Sequence, residues 1–263
     1  MKNTIVLVVS SILLMSYVSI QAFEALPASP EIPVDNPLTA AKIALGQQLF
    51  FDPRLSIDGT ISCNSCHNVM ASGTDNRDVS IGVGGQQGRR SAPTVWNAAF
   101  LSAQFWDGRA ATLEDQAKGP ILASVEMGMP SPAAVVARVN SIPGYVTTFK
   151  AVFGNKDAVT YDNIAKDIAS YERTLITINS PFDRYLRGDK SALSSSAIRG
   201  MKTVEKLGCT GCHNGPNFSG PKLPKGDVFL QKFPTFIDNT YVKKYRLMDD
   251  TGRYNVTKNT TDK

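Results

Sequence analysis

All four cysteines and both histidines of this 263-residue chain lie in two short segments, Cys63-Asn64-Ser65-Cys66-His67 and Cys209-Thr210-Gly211-Cys212-His213. In each segment the two thiols are three positions apart, about one helical turn, and a histidine follows at once. The two thiols can therefore bond to one porphyrin, and the histidine can reach its iron from the same face. This pattern predicts two covalently bound haem c groups, one in each half of the chain.

Zinc sites use the same cysteine spacing, and an exported chain with an even number of cysteines often forms disulfides. Both segments place a histidine directly after the second cysteine, which favours haem attachment over these two alternatives. Because the chain has only these two histidines, neither iron can have a second histidine ligand. An iron with methionine on its other side suits electron transfer, whereas an iron with an open site can bind a small oxidant.

The first 22 residues predict that the chain is exported to the periplasm. Lys2 precedes an apolar run from Ile5 to Ile20, and the small residue Ala22 follows, which is the pattern of a cleaved signal peptide. An uncleaved membrane anchor is the alternative. The formal charge is +5, from 28 basic and 23 acidic residues. Since the basic residues form no dense run, nucleic-acid binding is not expected.

Helix is the recurring pattern outside the two segments. Residues that can cap a helix precede apolar residues at helical spacing at Thr39, Thr112, Ser131 and Thr160. An apolar stripe from Ile198 to Leu207 ends at Gly208, and residues 75–93 predict a long loop. We therefore predict a mainly α fold with a haem domain at residues 23–180 and another at 181–263. Pro181 and Gly188 mark the boundary.

Five further runs resemble the bacterial dihaem cytochrome c peroxidase family, which includes the MauG-type enzymes. They are residues 44–56 (ALGQQLFFDPRLS), 90–97 (RSAPTVWN), 104–109 (QFWDGR), 114–120 (EDQAKGP) and 125–127 (VEM). The similarity extends from about Asn36 to the end of the chain. It implies two cytochrome-c-like domains, each carrying one covalent haem c, with the haems held between them.

The resemblance also implies roles for single residues at matching positions. His67 would hold the peroxidatic haem, and His213 would hold the high-potential haem that receives electrons. Trp106 matches a tryptophan that lies between the haems and relays electrons. Glu126 matches the acid that handles protons when the peroxide bond breaks, and Gln116 matches its polar neighbour. A carboxylate near an apolar haem face can take and return a proton if burial raises its pKa.

Three features depart from the family pattern. Many members have a removable histidine ligand where this chain has Val83. Since valine cannot bind iron, we expect an iron that is open in the fully oxidised protein. Ser91 replaces an asparagine that helps to bind calcium, and a hard cation needs six or more oxygen ligands, so calcium stays an open question. The family also continues past the position of Lys263 with a segment that supplies the distal Met, or Tyr in MauG, so we expect either a fragment of a longer chain or a truncated second domain.

The leading prediction is a periplasmic cytochrome c peroxidase. It would reduce hydrogen peroxide to water with electrons from a small cytochrome c or cupredoxin. One alternative is a MauG-like enzyme that oxidises a protein side chain, and another is a non-enzymatic dihaem cytochrome for electron transfer or redox sensing. A pocket with Glu126, Gln116 and an open iron argues against the last, because an electron carrier gains nothing from a site that reacts with peroxide. Relatives form homodimers, but nothing in this sequence fixes the oligomeric state.

Overall fold

The computed structural model describes residues 23–154, 157–234 and 236–263, and this part of the chain is mainly helical, as predicted. Its ten α-helices are α1 (Ala40–Phe51), α2 (Cys63–Cys66), α3 (Leu113–Leu122), α4 (Pro132–Asn140), α5 (Pro143–Phe153), α6 (Tyr161–Glu172), α7 (Pro181–Leu186), α8 (Ser195–Lys206), α9 (Thr240–Lys244) and α10 (Tyr254–Thr257). Short 3₁₀-helices are Pro53–Leu55, Val83–Gly85, Ala98–Phe100, Cys209–Gly211, Leu247–Asp249 and Thr260–Asp262. Extended pairing among the described residues is limited to isolated bridges.

The predicted signal peptide, residues 1–22, lies outside the described residues. Within the described ranges, every helix is too short or too polar to cross a membrane. Residues 75–93 form the predicted long loop, which contains a short 3₁₀-helix at Val83–Gly85 and an isolated bridge between Ile81 and Gln87.

The four predicted helix starts are confirmed. The side chains of Thr39, Thr112, Ser131 and Thr160 each accept a hydrogen bond from a backbone N–H in the first turn of α1, α3, α4 and α6. Each bond satisfies a donor that the start of a helix leaves free. The sequence did not predict α5, because its N-cap residue is Ile142, which offers no side-chain acceptor.

The hydrophobic core is centred on the packing of α1 against α6. Its largest fully buried apolar side chains are Phe50, Phe149, Leu45, Leu49, Leu55, Ile121, Ile164, Ile168, Val135 and Val139. At the crossing of the two helices, Gly46 of α1 faces the backbone of α6 so closely that a β-carbon would lie 1.8 Å from the carbonyl oxygen of Asp167. This close approach fixes α6, whose last residue is Glu172, against the rest of the core.

Asp167 is a buried carboxyl group at the same crossing. It is fully buried, and neither of its carboxyl oxygens has a hydrogen-bond partner among the described residues. Burial raises the pKa of Asp167 from 3.8 to about 8, and the charge of Lys42 offsets only part of this effect. Because the folded state favours the protonated carboxyl, the free energy of unfolding falls as the pH rises from 3.8 to about 8.

We expect Asp167→Asn to raise the free energy of unfolding by about 2 kcal/mol at pH 8 and by much less at pH 4, where the folded carboxyl is neutral and the unfolded one is about half protonated. Denaturant unfolding at several pH values, followed by circular dichroism, measures this difference. Asp157→Asn is the matched control, because Asp157 is exposed. An equal rise in the free energy of unfolding at pH 4 and pH 8 would mean that the charge of the Asp167 carboxylate is not the cause.

The described residues after α7 contribute little to the core. Helix α8 carries the predicted apolar stripe and stops at Gly208, as predicted. However, none of its residues is buried, and the Leu207 side chain that follows it is 72% exposed. Phe23, near the start of the described chain, packs edge-on against Phe182 and Phe218. The lead-in to the first half therefore lies against the second half.

Candidate active site

The first cysteine segment forms the short helix α2, followed directly by His67. The backbone N–H of Ser62 bonds to the hydroxyl of Ser65, which fixes the first turn. The Nδ1 atom of His67 lies 2.9 Å from the carbonyl oxygen of Pro93. Since that carbonyl can only accept, Nδ1 carries the proton and Nε2 is left free as an iron ligand. Burial lowers the pKa of His67, which keeps the imidazole neutral.

A cavity of about 320 Å³ opens beside His67, and we call it the His67 cavity. This volume is in the range of cofactor pockets. Its wall includes the predicted site residues Cys66, His67, Trp106, Gln116 and Glu126. The structure thus brings together side chains that are up to 60 positions apart in the sequence, from Cys66 to Glu126.

Two of the predicted site residues reach the cavity from neighbouring segments: Gln116 from α3, and Glu126 from the turn that follows α3. Gln116 lies on α3, and the N–H of Glu126 donates to the carbonyl of Ala123 just after the helix (2.9 Å). Burial raises the pKa of Glu126 above its ordinary value, and the charge of Arg109 offsets part of this effect. A carboxyl group in this setting can exchange a proton closer to neutral pH than an exposed one.

The loop that contains Val83 is fixed against the Glu126 turn. The N–H of Val83 donates to the carbonyl of Glu126 (2.8 Å), and the Val83 side chain is buried. A β-carbon on Gly82 would lie 2.2 Å from the carbonyl oxygen of Val125, so only glycine permits this approach. The Val83 side chain packs close to Gly128, where an added β-carbon would meet it at 2.9 Å.

Asp107 holds a charged cluster at the cavity wall that the sequence did not identify. Its buried carboxylate accepts from Arg90 (2.6 Å) and from Arg109 (2.9 Å). Burial alone would raise the pKa of Asp107, but these two guanidinium groups outweigh it and lower the pKa. Arg90 also donates to Asp250. Asp107 and Arg109 both lie in the 104–109 run that resembles the family, so this run was the one sequence feature that could have pointed to the cluster.

Trp106 lies at the cavity wall with 62% of its surface exposed, so it is not a core aromatic residue. Its Nε1–H donates to the carbonyl of Ser91 (2.8 Å), while the Ser91 hydroxyl donates to the carbonyl of Arg77. The turn that follows Trp106 contacts the second half of the chain. Arg253 donates to the carbonyls of Asp107 and Gly108, at 2.7 and 3.1 Å.

The second cysteine segment is more open than the first. Cys209, Cys212 and His213 are all exposed. The Nδ1 atom of His213 lies 3.1 Å from the carbonyl oxygen of Phe218, so its Nε2 is left free in the same way as that of His67. The two segments therefore share one histidine arrangement, although the protein packing around them differs.

Glu172 lines the His67 cavity from the end of α6, and no sequence pattern predicted it. The residue is 6% exposed, and its Oε2 atom has no hydrogen-bond partner among the described residues. The Oγ atom of Ser80, also in the cavity wall, is buried and without a partner in the same part of the structure. A glutamate at a helix end is usually solvated, so only the fold identifies this one.

The residues of the cavity fit a covalently attached haem. Cys66 and His67, whose Nε2 atom is left free, line a cofactor-sized space, and two buried polar atoms of its wall have no hydrogen-bond partner among the described residues. The four cysteines are free thiols. Among the described residues no group of three or more His, Cys, Asp or Glu side chains is arranged to hold a metal ion, so the geometry gives no support to the zinc alternative.

Comparisons with known proteins point to the same chemistry. The family model described as di-haem cytochrome c peroxidase matches residues 40–191, more than half of the chain. The cytochrome c551 peroxidase of Pseudomonas aeruginosa is 45% identical over 229 residues, which cover 86% of this chain and 63% of that protein. The cytochrome c peroxidase Ccp of Escherichia coli is 44% identical over 238 residues, which cover 90% of this chain and 48% of that protein.

Among solved structures, a MauG-like protein associated with microbial copper homeostasis matches with a TM-score of 0.74 at 28% identity. The match covers 90% of this chain and 71% of that one. The chain thus spans between about half and two thirds of the length of the two peroxidases above.

Proposed function

The chain belongs to the di-haem cytochrome c peroxidase family, and from this premise we propose that it reduces hydrogen peroxide to water at a haem c held by Cys63, Cys66 and His67. The observation that carries the proposal is the His67 cavity, where the free Nε2 side of His67 shares one space with Glu126 and Gln116. The reaction consumes one peroxide, two electrons and two protons and releases two waters. Electrons would come from a small periplasmic cytochrome c or cupredoxin.

The side chains of the cavity can carry the proton steps. A bound haem supplies an iron that binds peroxide and exchanges electrons. The Glu126 carboxylate would take a proton from peroxide bound in the cavity and return it to the oxygen that leaves as water. The Gln116 amide, on the same wall, can donate a hydrogen bond that orients the peroxide. A burial-raised pKa suits Glu126 to both directions of transfer.

We further propose one haem c in each half of the chain, with domains at 23–180 and 181–263. Cys209, Cys212 and His213 would hold the electron-transfer haem, and the arrangement of His213 against a backbone carbonyl supports this role. Trp106 would relay electrons, because it combines an exposed indole ring at the cavity wall with a turn that contacts the second half through Arg253.

The position of the Val83 loop supports an iron that is open in the oxidised protein. The loop is bonded to the Glu126 turn, and the buried Val83 side chain cannot act as a ligand. No ligand would then have to leave before peroxide binds. The first catalytic cycle would start from the fully oxidised enzyme.

The spectrum of the fully oxidised protein, matured with haem c, tests this proposal. We expect a high-spin ferric signal beside a low-spin one, and an immediate spectral change when peroxide is added without prior reduction. Sustained oxidation of a reduced small cytochrome c should follow. Two six-coordinate, low-spin haems that do not respond to peroxide would overturn the proposal and favour an electron-transfer protein.

A MauG-like activity is the second candidate, and the structural match to a MauG-like protein favours it. Such an enzyme would use peroxide to oxidise a side chain of another protein. The same sample distinguishes the two functions. A prompt reaction with peroxide, but no turnover with reduced cytochrome c or cupredoxin, would favour protein oxidation.

A further inference from the structure

We propose that Glu172 is a second proton-binding residue of the His67 cavity, distinct from Glu126. The Glu172 carboxylate would bind one proton from solvent as one electron from an external one-electron donor reduces the ferric iron of a haem held by His67. This inference rests on the proposed function, because it requires a haem at His67. It makes the reduction potential of that haem depend on pH through a residue other than Glu126.

Glu172 has the placement that this role requires. It ends α6, lines the cavity and is almost fully buried, and its Oε2 atom has no partner among the described residues. The neighbouring cation is already committed, because Arg173 donates to both carboxylate oxygens of Glu114, at 2.7 and 2.9 Å. The Glu172 carboxyl is therefore left to interact with whatever occupies the cavity.

The charged and titratable groups around Glu172 come from three helices. Arg173 follows it at the end of α6, Glu114 faces it from α3, and the Cys63 thiol faces it from α2. Burial raises the pKa of Glu172 to about 8, the charge of Arg173 lowers it in part, and Glu114 raises it further. Glu172 thus changes its charge close to neutral pH.

Charge on the iron and charge on Glu172 must then affect each other. A positive ferric centre favours the carboxylate, and adding an electron removes that stabilisation, so the carboxyl takes up a proton. Buried surroundings of low dielectric constant screen such an interaction less than water does. By reciprocity, a rise in pH that removes the proton makes reduction harder.

Spectroelectrochemical titration of the two-haem protein from about pH 5 to about pH 9 tests this coupling. We expect one haem to become harder to reduce by up to tenfold per pH unit, about 59 mV for one electron. Glu172→Gln should lower this slope for that haem alone, so the other haem serves as an internal reference. Glu24→Gln, which removes one exposed carboxylate, should leave both slopes unchanged.

Two further measurements keep the inference testable if Glu172→Gln fails to fold. Glu172→Asp should retain a slope with a shifted midpoint, since it keeps the carboxyl. Infrared difference spectra of the wild-type protein should show a protonated carboxyl band that appears on reduction. The same slope in wild type and Glu172→Gln, or no such band, would overturn the inference.

Evidence against the proposed function can be distinguished from evidence against the role of Glu172. Haem content and the peroxide reaction are measured on the same wild-type samples. If no haem is attached, or the attached haem ignores peroxide, the proposed function is wrong. If haem is attached and reacts with peroxide while the slopes of wild type and Glu172→Gln coincide, only the role of Glu172 is wrong.

Discussion

Glu126→Gln is expected to slow peroxide reduction by about 10²- to 10⁴-fold, the range that a positioned general acid–base residue supplies. The amide keeps the size and hydrogen bonding of the side chain but cannot take a proton from peroxide. Both haems should stay attached, because Glu126 touches neither cysteine segment through a hydrogen bond in the described structure. The value of kcat/KM with a reduced small cytochrome c measures the loss.

The pH profile separates this role from a structural one. In the wild type, the rate should rise with ionisation of a group whose pKa lies above the ordinary value for glutamate, since burial raises the pKa of Glu126. That inflection should disappear in Glu126→Gln and persist in the exposed control Glu24→Gln. If Glu126→Gln keeps its rate within a few-fold of wild type, Glu126 is not the proton-transfer residue.

Gly46→Ala is expected to lower the free energy of unfolding by about 3 kcal/mol, at the upper end for an overpacked core. The added methyl group would lie 1.8 Å from the carbonyl oxygen of Asp167, which is backbone and cannot rotate away. The helices α1 and α6 would have to separate, and this is the main helix contact of the core. Denaturant unfolding measures the change.

Gly200→Ala is the matched control, because Gly200 lies within α8 and a β-carbon there meets no atom within 4 Å. Alanine favours helix over glycine, so this variant should be more stable by about 0.5–1 kcal/mol or unchanged. If Gly46→Ala is as stable as the wild type or more stable, as expected for Gly200→Ala, the close α1–α6 contact does not limit the stability of the fold.

Local signals predicted much of this fold. Thr39, Thr112, Ser131 and Thr160 were identifiable as helix caps because a cap depends on the few residues that follow it. Glu126 and Gln116 could be assigned only through the resemblance to a family, since an isolated acid or amide is normally a surface residue. In the structure both residues line one cavity with Cys66 and His67.

The features that were missed depend on tertiary structure. The burial of Glu172 follows from where α6 ends relative to α3, and the Arg90–Asp250 pair joins residues 160 positions apart. No local pattern encodes either contact. The apolar stripe of α8 shows what periodicity alone leaves out. It predicted the helix, but it did not show that Val204 and Leu207 lie exposed.

The Arg90 cluster makes the cavity of the first half depend on the second half. Arg90 and Asp107 are close in sequence and form one ion pair. Asp250 lies 160 positions after Arg90 and supplies two further oxygens that accept from the Arg90 guanidinium. The wall beside His67 is therefore complete only when the residues around Asp250 are folded against the first half.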